Sequence, residues 1–272
     1  MRDVEPDVTK IFLRSLRKHW DGLVVLVVDD PEVYHDEKTL VILFDELPET
    51  ASTTMDWFPP DAKFFLFRHW VLLKVLGGHG GLPFRDVDGM WVLDARDVYF
   101  QDDPFRQVPL DAELVFTDEM RPPPAEPGPI AWVVEDYYGK EAVEGIRNSL
   151  YICAGAIWGT PHGLKLMSEG ILAEYRQLLG RRAVKETDDD QAIVNWLFHR
   201  GKIPGRLFEN GRGPVVHFSR LLETDFSWSD DGKVHLCGTE NYPAILHHYD
   251  RFRAVRNEVE NLYDARVMGR RD

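Results

Sequence analysis

LVVLVVDD at 23–30 is a continuous apolar run that closes on two aspartates. A strand with one wet face alternates apolar and polar residues. A run without alternation belongs to a strand covered on both faces, as in parallel sheets flanked by helices. LVILFDEL at 40–47 repeats the pattern, and so does MWVLDA at 90–95. Between these runs lie segments of helical period. Residues 8–20 gather Ile11, Phe12, Leu13, Leu16 and Trp20 largely on one face, and Asp21-Gly22 ends them. AKFFLFRHWVLLKVL at 62–76 predicts a second helix, stopped by Gly77-Gly78.

The pattern continues. DAELVFTDE (111–119) reads as a strand, and SLYICAGAIWG (149–159) as strand, glycine turn, strand. GLKLMSEGILAEYRQLL (163–179) reads as a helix, and Asp188, Asp189 and Asp190 would cap a further one over 191–201. The proline-rich RPPPAEPGPI (121–130) predicts a long surface loop inside one domain. PVVHF, KVHLC and AILHHY add short late strands. Strands alternating with helices make an α/β fold with a mixed, mostly parallel central sheet flanked by helices, and one domain over 1–272. At 44% hydrophobic residues the chain has ample material for a core.

A formal net charge of -14 repels phosphate backbones and anionic lipid, which argues against nucleic-acid and membrane-surface partners. No apolar run approaches the ~18 residues of a membrane span, and no signal-peptide core is present, so a cytoplasmic protein is expected. The two cysteines, Cys153 and Cys237, form no CxxC pair and are expected as buried free thiols.

Chemistry concentrates in WVLDARDVYFQDDPF at 91–105. Ligands of open α/β sheets collect at the carboxyl ends of strands. Asp94 and Asp97 therefore either ligate a hard dication, Mn²⁺ or Mg²⁺, or cap a turn. Arg96 between them either pairs with one of the two or reaches a phosphate. Asp102 and Asp103 are assigned to the turn before Pro104. GGHGG at 77–81 lacks the Lys-Ser/Thr of a phosphate loop and is a connector. His247 and His248 are adjacent at a strand end. Neighbours on a strand point to opposite faces, so at most one is expected to face a site. His217 in VVHF is its rival. Trp158 either stacks on a ligand ring or is a core aromatic.

VLDARDVYFQDDPF resembles the metal-binding segment of GT-A glycosyltransferases, the nucleotide-diphosphosugar transferases with a DxD motif. The match is to a bacterial-like subgroup that reads approximately D-x-R-D-V-x-F-Q-x-D-P-F. Four further pieces fall in the family's order: FRHW (67–70), YICAGAIWG (151–159), DDQAIVN (189–195) and ILHHYDR (245–251). The resemblance spans 67–251. It implies a Rossmann-like GT-A fold and a metal-dependent transfer of sugar from a nucleotide-diphosphosugar, with a UDP-sugar favoured. The acceptor would be a hydroxyl of a glycan, peptide or small molecule, and the anomeric configuration would be retained.

By the same resemblance Asp97 is the metal-binding aspartate and His247 completes the shell of Mn²⁺ or Mg²⁺. Asp94 lies one position before the family's first aspartate, at the metal, its bound water or the ribose. Arg68, Asp94, Ala95, Arg96 and Gly155 line the donor, while Asp190 and Gln191 stand near the reacting centre. The motif is D-A-R-D here rather than DxD. The family opens with a strand whose following loop holds the base, whereas this chain opens with a helix, so the usual first strand is expected to be lacking. That leaves a non-catalytic GT-A-like binding or assembly protein as the alternative, and a metal-dependent phosphohydrolase as the third reading.

Overall fold

The apolar run at 23–30 folds as a strand over Val24–Val28 and pairs in parallel with Thr39–Leu43, the start of the run at 40–47. The structure is a computed structural model. It describes residues 6–28, 30, 32–43, 63–78, 87–119, 129–146, 149–179 and 189–268. In chain order these form α1 (Pro6–Arg17), β1 (Val24–Val28), β2 (Thr39–Leu43), α2 (Lys63–Leu76), β3 (Met90–Leu93), β4 (Val98–Phe100) and β5 (Leu114–Thr117). There follow α3 (Pro129–Tyr138), α4 (Lys140–Ile146), β6 (Ala156–Gly159), α5 (Pro161–Leu179), α6 (Asp189–His199) and β7 (Arg206–Phe208). The last are β8 (Val215–His217), β9 (Phe226–Trp228), β10 (Val234–Leu236), β11 (Ile245–His247) and α7 (Arg253–Met268). Residues 29, 44–47, 62, 79–81, 121–128 and 188, on which parts of the expected strands, helix, connector, loop and cap fall, lie outside the described residues.

The chain divides into two compact units. One takes Met1–Leu43, Leu93–Val108 and Phe208–Asp272, and the other Phe44–Val92 and Pro109–Leu207. In the first, α1 begins on Pro6, whose fixed φ suits the first helical turn. Its buried stripe of Phe12, Leu13 and Leu16 follows the predicted period. Ser15, fully buried, donates its hydroxyl to Phe12 O (3.0 Å) and accepts Phe100 N–H (3.1 Å). The Phe12 and Phe100 rings meet edge to face at 5.1 Å, which docks α1 on β4. Arg17 ends the helix on a bidentate pair with Asp36, at 2.7 and 3.1 Å. That guanidinium holds the Asp36 carboxyl down to about 2.

In the same unit β11 pairs antiparallel with β4 and parallel with β8, so that His247 stands opposite both Val98 and His217. Gln101 clamps the β9–β10 hairpin. Its amide oxygen accepts Val234 N–H (2.8 Å), and its nitrogen donates to Val234 O (2.8 Å) and Pro243 O (2.6 Å). The core closes on Tyr99, Phe218, Phe226, Leu246, Val255 and Val259. Asp102 and Asp103 belong to the turn before Pro104, as expected: Phe105 N–H donates to the Asp103 carboxylate, and Lys233 pairs with Asp102 at 3.0 Å.

The second unit holds a sheet of order β3-β6-β5-β7, covered by α2, α5 and α6. Leu66, Leu114, Phe116, Ile157, Met167 and Ile193 sit in its core. β5 and β6 are buried along their whole length yet pair antiparallel. Continuous apolarity therefore does not report strand direction, and it does not ensure coverage of both faces either, since β1, β2 and β3 stay largely half-buried. β1–β2 and β8–β11 pair in parallel, β4–β11, β5–β6 and β9–β10 antiparallel, and the described strands fall into four small sheets of a mixed α/β chain. Trp158 is a core aromatic: a Cβ added at Gly89 would lie 2.2 Å from its ring. Helices α3, α4 and α7 were not foreseen. Gly139, at φ 89, ends α3 and opens α4, a helix-stop signal that the sequence does carry. Both cysteines are free, but Cys237 is exposed, correcting the expectation of two buried thiols: it follows the short β10 in a surface turn. Among the described residues no helix is long and apolar enough to cross a membrane.

Asn195, fully buried on α6, acts as a strand partner for the 149–155 segment. It accepts Ile152 N–H (2.8 Å) and donates to Ile152 O (2.9 Å). Asn195→Ala orphans both backbone groups. It is expected to lower stability by about 2 kcal/mol or more, read as a fall in the urea midpoint at unchanged slope.

Candidate functional site

The turn 94–97 joins β3 to β4. Asp94 is half-buried at the end of β3, Ala95 is buried, Arg96 is exposed and Asp97 is half-buried. The β4–β11 register, with Val98 opposite His247, brings Asp97 against the end of β11, where its carbonyl accepts His248 N–H at 2.8 Å. The side chains then converge. Asp97 Oδ1 stands 3.4 Å from His247 Nε2, and Asp97 Oδ2 stands 3.8 Å from His248 Nε2.

The strand argument had allowed only one of the two histidines to face the site. His248 overturns it. It is left-handed, at φ 60 and ψ 30, so the chain leaves the strand pattern there and the alternation fails. Its ring stacks on that of His247, with centroids 3.7 Å apart and 25° between planes. Left-handed backbone costs a residue with a Cβ about 1–2 kcal/mol, and close packing of the two rings holds it there. His217 is no rival either. It lies beside His247 in the sheet, fully buried, with the two Nδ1 atoms 2.8 Å apart.

Burial, and next the neighbouring His247, hold His217 well below its ordinary pKa, and burial followed by the other two imidazoles does the same for His248. Both are therefore neutral at pH 7, the form in which imidazole binds metals. Asp250, in the 3-10 turn that follows, has its carboxyl raised by burial and then by the charge of Asp97, against Arg251 and Arg96. Arg96 thus bears on Asp250, a partner the sequence reading had not considered.

The donor set fits a dication. Two ligand atoms each about 2.1 Å from one cation stand about 3.0–3.4 Å apart, the spacing of Asp97 Oδ1 and His247 Nε2. Among the described residues Asp97 Oδ1 is buried with no hydrogen-bond partner, as are His217 Nε2, His248 Nδ1 and Asp250 Oδ1. Leaving a buried polar atom unpaired costs about 1–3 kcal/mol.

The other unit assembles a second group. Asp190, in the first turn of α6, lies 3.2 Å from Arg68 Nε and 3.7 Å from His69 Nε2, both on α2. Its other oxygen accepts Gln191 N–H at 2.8 Å. Burial would raise the Asp190 carboxyl, but Arg68, His69 and that N–H outweigh it and hold it low. Arg68 also donates to Ala154 O (3.1 Å), in the turn that contains Gly155. The Gln191 side chain donates to Glu119. Arg68, Gly155 and Asp190 are thus brought together, and Arg68 spends its charge on Asp190. His69, which stands 3.3 Å from Ser168 Oγ, was missed, because nothing in FRHW says which residue of the helix turns inward.

Burial, opposed by Asp190, lowers the pKa of His69, and burial, opposed by the Leu150 carbonyl, lowers that of His199. Below about pH 6.5 the unfolded chain binds protons at these histidines that the folded one does not. Their contribution is complete above that pH and declines as pH falls through it. The urea midpoint is therefore expected to be lower at pH 5.5 than at 7.5, and a flat or opposite slope would contradict neutral burial. No protein-family model matches this chain, and no curated protein matches it in sequence.

Proposed function

We propose that the protein is a metal-dependent glycosyltransferase of the GT-A type. It moves a sugar from a nucleotide-diphosphosugar, a UDP-sugar first, to a hydroxyl acceptor with retention. One observation carries the reading. Asp97 and His247, the two residues that the family resemblance selects as metal ligands, stand 3.4 Å apart although they are remote in sequence. The mixed α/β architecture is compatible with a GT-A arrangement.

Asp97 and His247 would hold Mn²⁺ or Mg²⁺, which as a Lewis acid stabilises charge on a leaving nucleoside diphosphate. Imidazole nitrogen in the donor set favours Mn²⁺ of the two. Asp97 contributes a negative charge and His247 a neutral donor, leaving the ion a net positive charge for the diphosphate. Asp190, kept anionic by Arg68 and His69, is a weak general base. It serves better as a hydrogen-bond acceptor for a sugar hydroxyl, which agrees with retention, where the leaving phosphate takes the acceptor's proton.

Calorimetric titration of UDP with and without Mn²⁺, followed by transfer from UDP-sugars to added glycans and peptides, tests the reading. Binding is expected only with the metal. Nucleotide binding indifferent to Mn²⁺ sinks the proposal, and metal-dependent binding without transfer to any acceptor points to the non-catalytic alternative.

A further inference from the structure

We propose that His217 is the positioning residue of the cation site: its Nδ1 accepts the Nδ1–H of His247 and thereby turns the Nε2 lone pair of His247 toward Asp97. This rests on the reading of Asp97 and His247 as metal ligands. Two imidazole nitrogens 2.8 Å apart share a hydrogen bond, with one proton between them. A histidine that ligates through Nε2 carries its proton on Nδ1, and the group that accepts that proton fixes both tautomer and ring orientation. Here the acceptor is His217 Nδ1. Were His217 the donor, His247 would keep its proton on Nε2, aimed at the Asp97 carboxylate, and could not ligate there.

His217 is itself held for the task. It is fully buried. Its N–H donates to Asn210 Oδ1 and its carbonyl accepts from Asn210 Nδ2, both at 2.8 Å. The parallel register of β8 and β11 sets it beside His247. The His217 and His247 rings meet at 74°, while His248 stacks on His247 at 25°, so the ring of His247 is oriented by contacts on its edge and its face.

The test uses the full chain and Mn²⁺ alone, without nucleotide. His217→Leu is expected to weaken Mn²⁺ binding by about 10- to 100-fold by calorimetry, the usual effect of removing such a partner. His217→Gln, whose amide oxygen can accept the same proton, is expected to restore most of it. Long-range proton–nitrogen NMR of the ¹⁵N-labelled wild type, loaded with diamagnetic Zn²⁺, is expected to show the His247 proton on Nδ1. Unchanged Mn²⁺ affinity in a folded His217→Leu protein, or a proton on His247 Nε2 in the Zn²⁺-loaded wild type, overturns the assignment of His217 alone. Wild type that binds neither ion overturns the metal reading beneath it as well. Should His217→Leu fail to fold, the wild-type spectrum decides.

Discussion

Asp97→Ala is expected to lower the affinity for UDP in the presence of Mn²⁺ by at least about 100-fold, or about 2.7 kcal/mol, while leaving the metal-free protein as stable as before or more so. The two halves of this expectation have one cause. Asp97 Oδ1 is buried without a hydrogen-bond partner among the described residues, and the charge of Asp97 helps to raise the Asp250 carboxyl. An uncompensated carboxylate beside a second acid is a burden on the empty fold, and alanine removes it. The same carboxylate is the only anionic donor facing His247 among the residues proposed to hold the cation, so its loss removes the electrostatic share of metal binding. Asp97→Asn, similar in volume but neutral, is expected to lose binding nearly as fully, which separates charge from packing. Calorimetry for binding and a metal-free thermal midpoint read the two effects. A variant that loses stability while keeping Mn²⁺-dependent binding would return Asp97 to the role of a turn cap.

Arg68→Ala is expected to cost about 3–5 kcal/mol of stability, because it leaves the Asp190 carboxylate, 2% exposed, beside the neutral imidazole of His69 with no cationic partner among the described residues. Asp190 is buried and Arg68 only 18% exposed, so screening by water removes only part of this. Asp190→Asn in the same background is expected to recover much of the loss, since the orphaned charge disappears. A double-mutant cycle in urea measures the coupling. His69 adds a signature. Arg68 is one of the charges that lower its pKa, so in Arg68→Ala the imidazole becomes the natural counter-charge of Asp190. The variant is therefore expected to lose less stability than the wild type between pH 7.5 and 5.5. Additive single and double mutants would show that the 3.2 Å contact carries no weight.

Sequence pattern reached some elements well and missed others for stated reasons. The periods of α1, α5 and α6 and the unbroken run of β5 were legible because they encode burial directly, whereas the equally unbroken runs of β1 and β2 form strands that stay largely half-buried. Helix α7 was not, since its buried Val255 and Val259 form a stripe too thin to separate from a polar segment. Asp97 and His247 were singled out by their resemblance to a motif. His217 and His248 were weighed as a competitor and an outward-facing neighbour, and the structure makes them partners of the same cluster.

What the sequence by itself determined is where most strands and helices lie and where several helices stop. Those properties are local, because each follows from the periodicity or the φ/ψ preference of a short run. Tertiary structure alone decided strand direction, the stacking of His248 on His247, the 2.8 Å contact of His217, and the engagement of Arg68 by Asp190. Each of these joins elements or bends the chain at one residue. Their outcome depends on β-register, on helix packing and on a single left-handed residue, none of which leaves a periodic mark in the sequence.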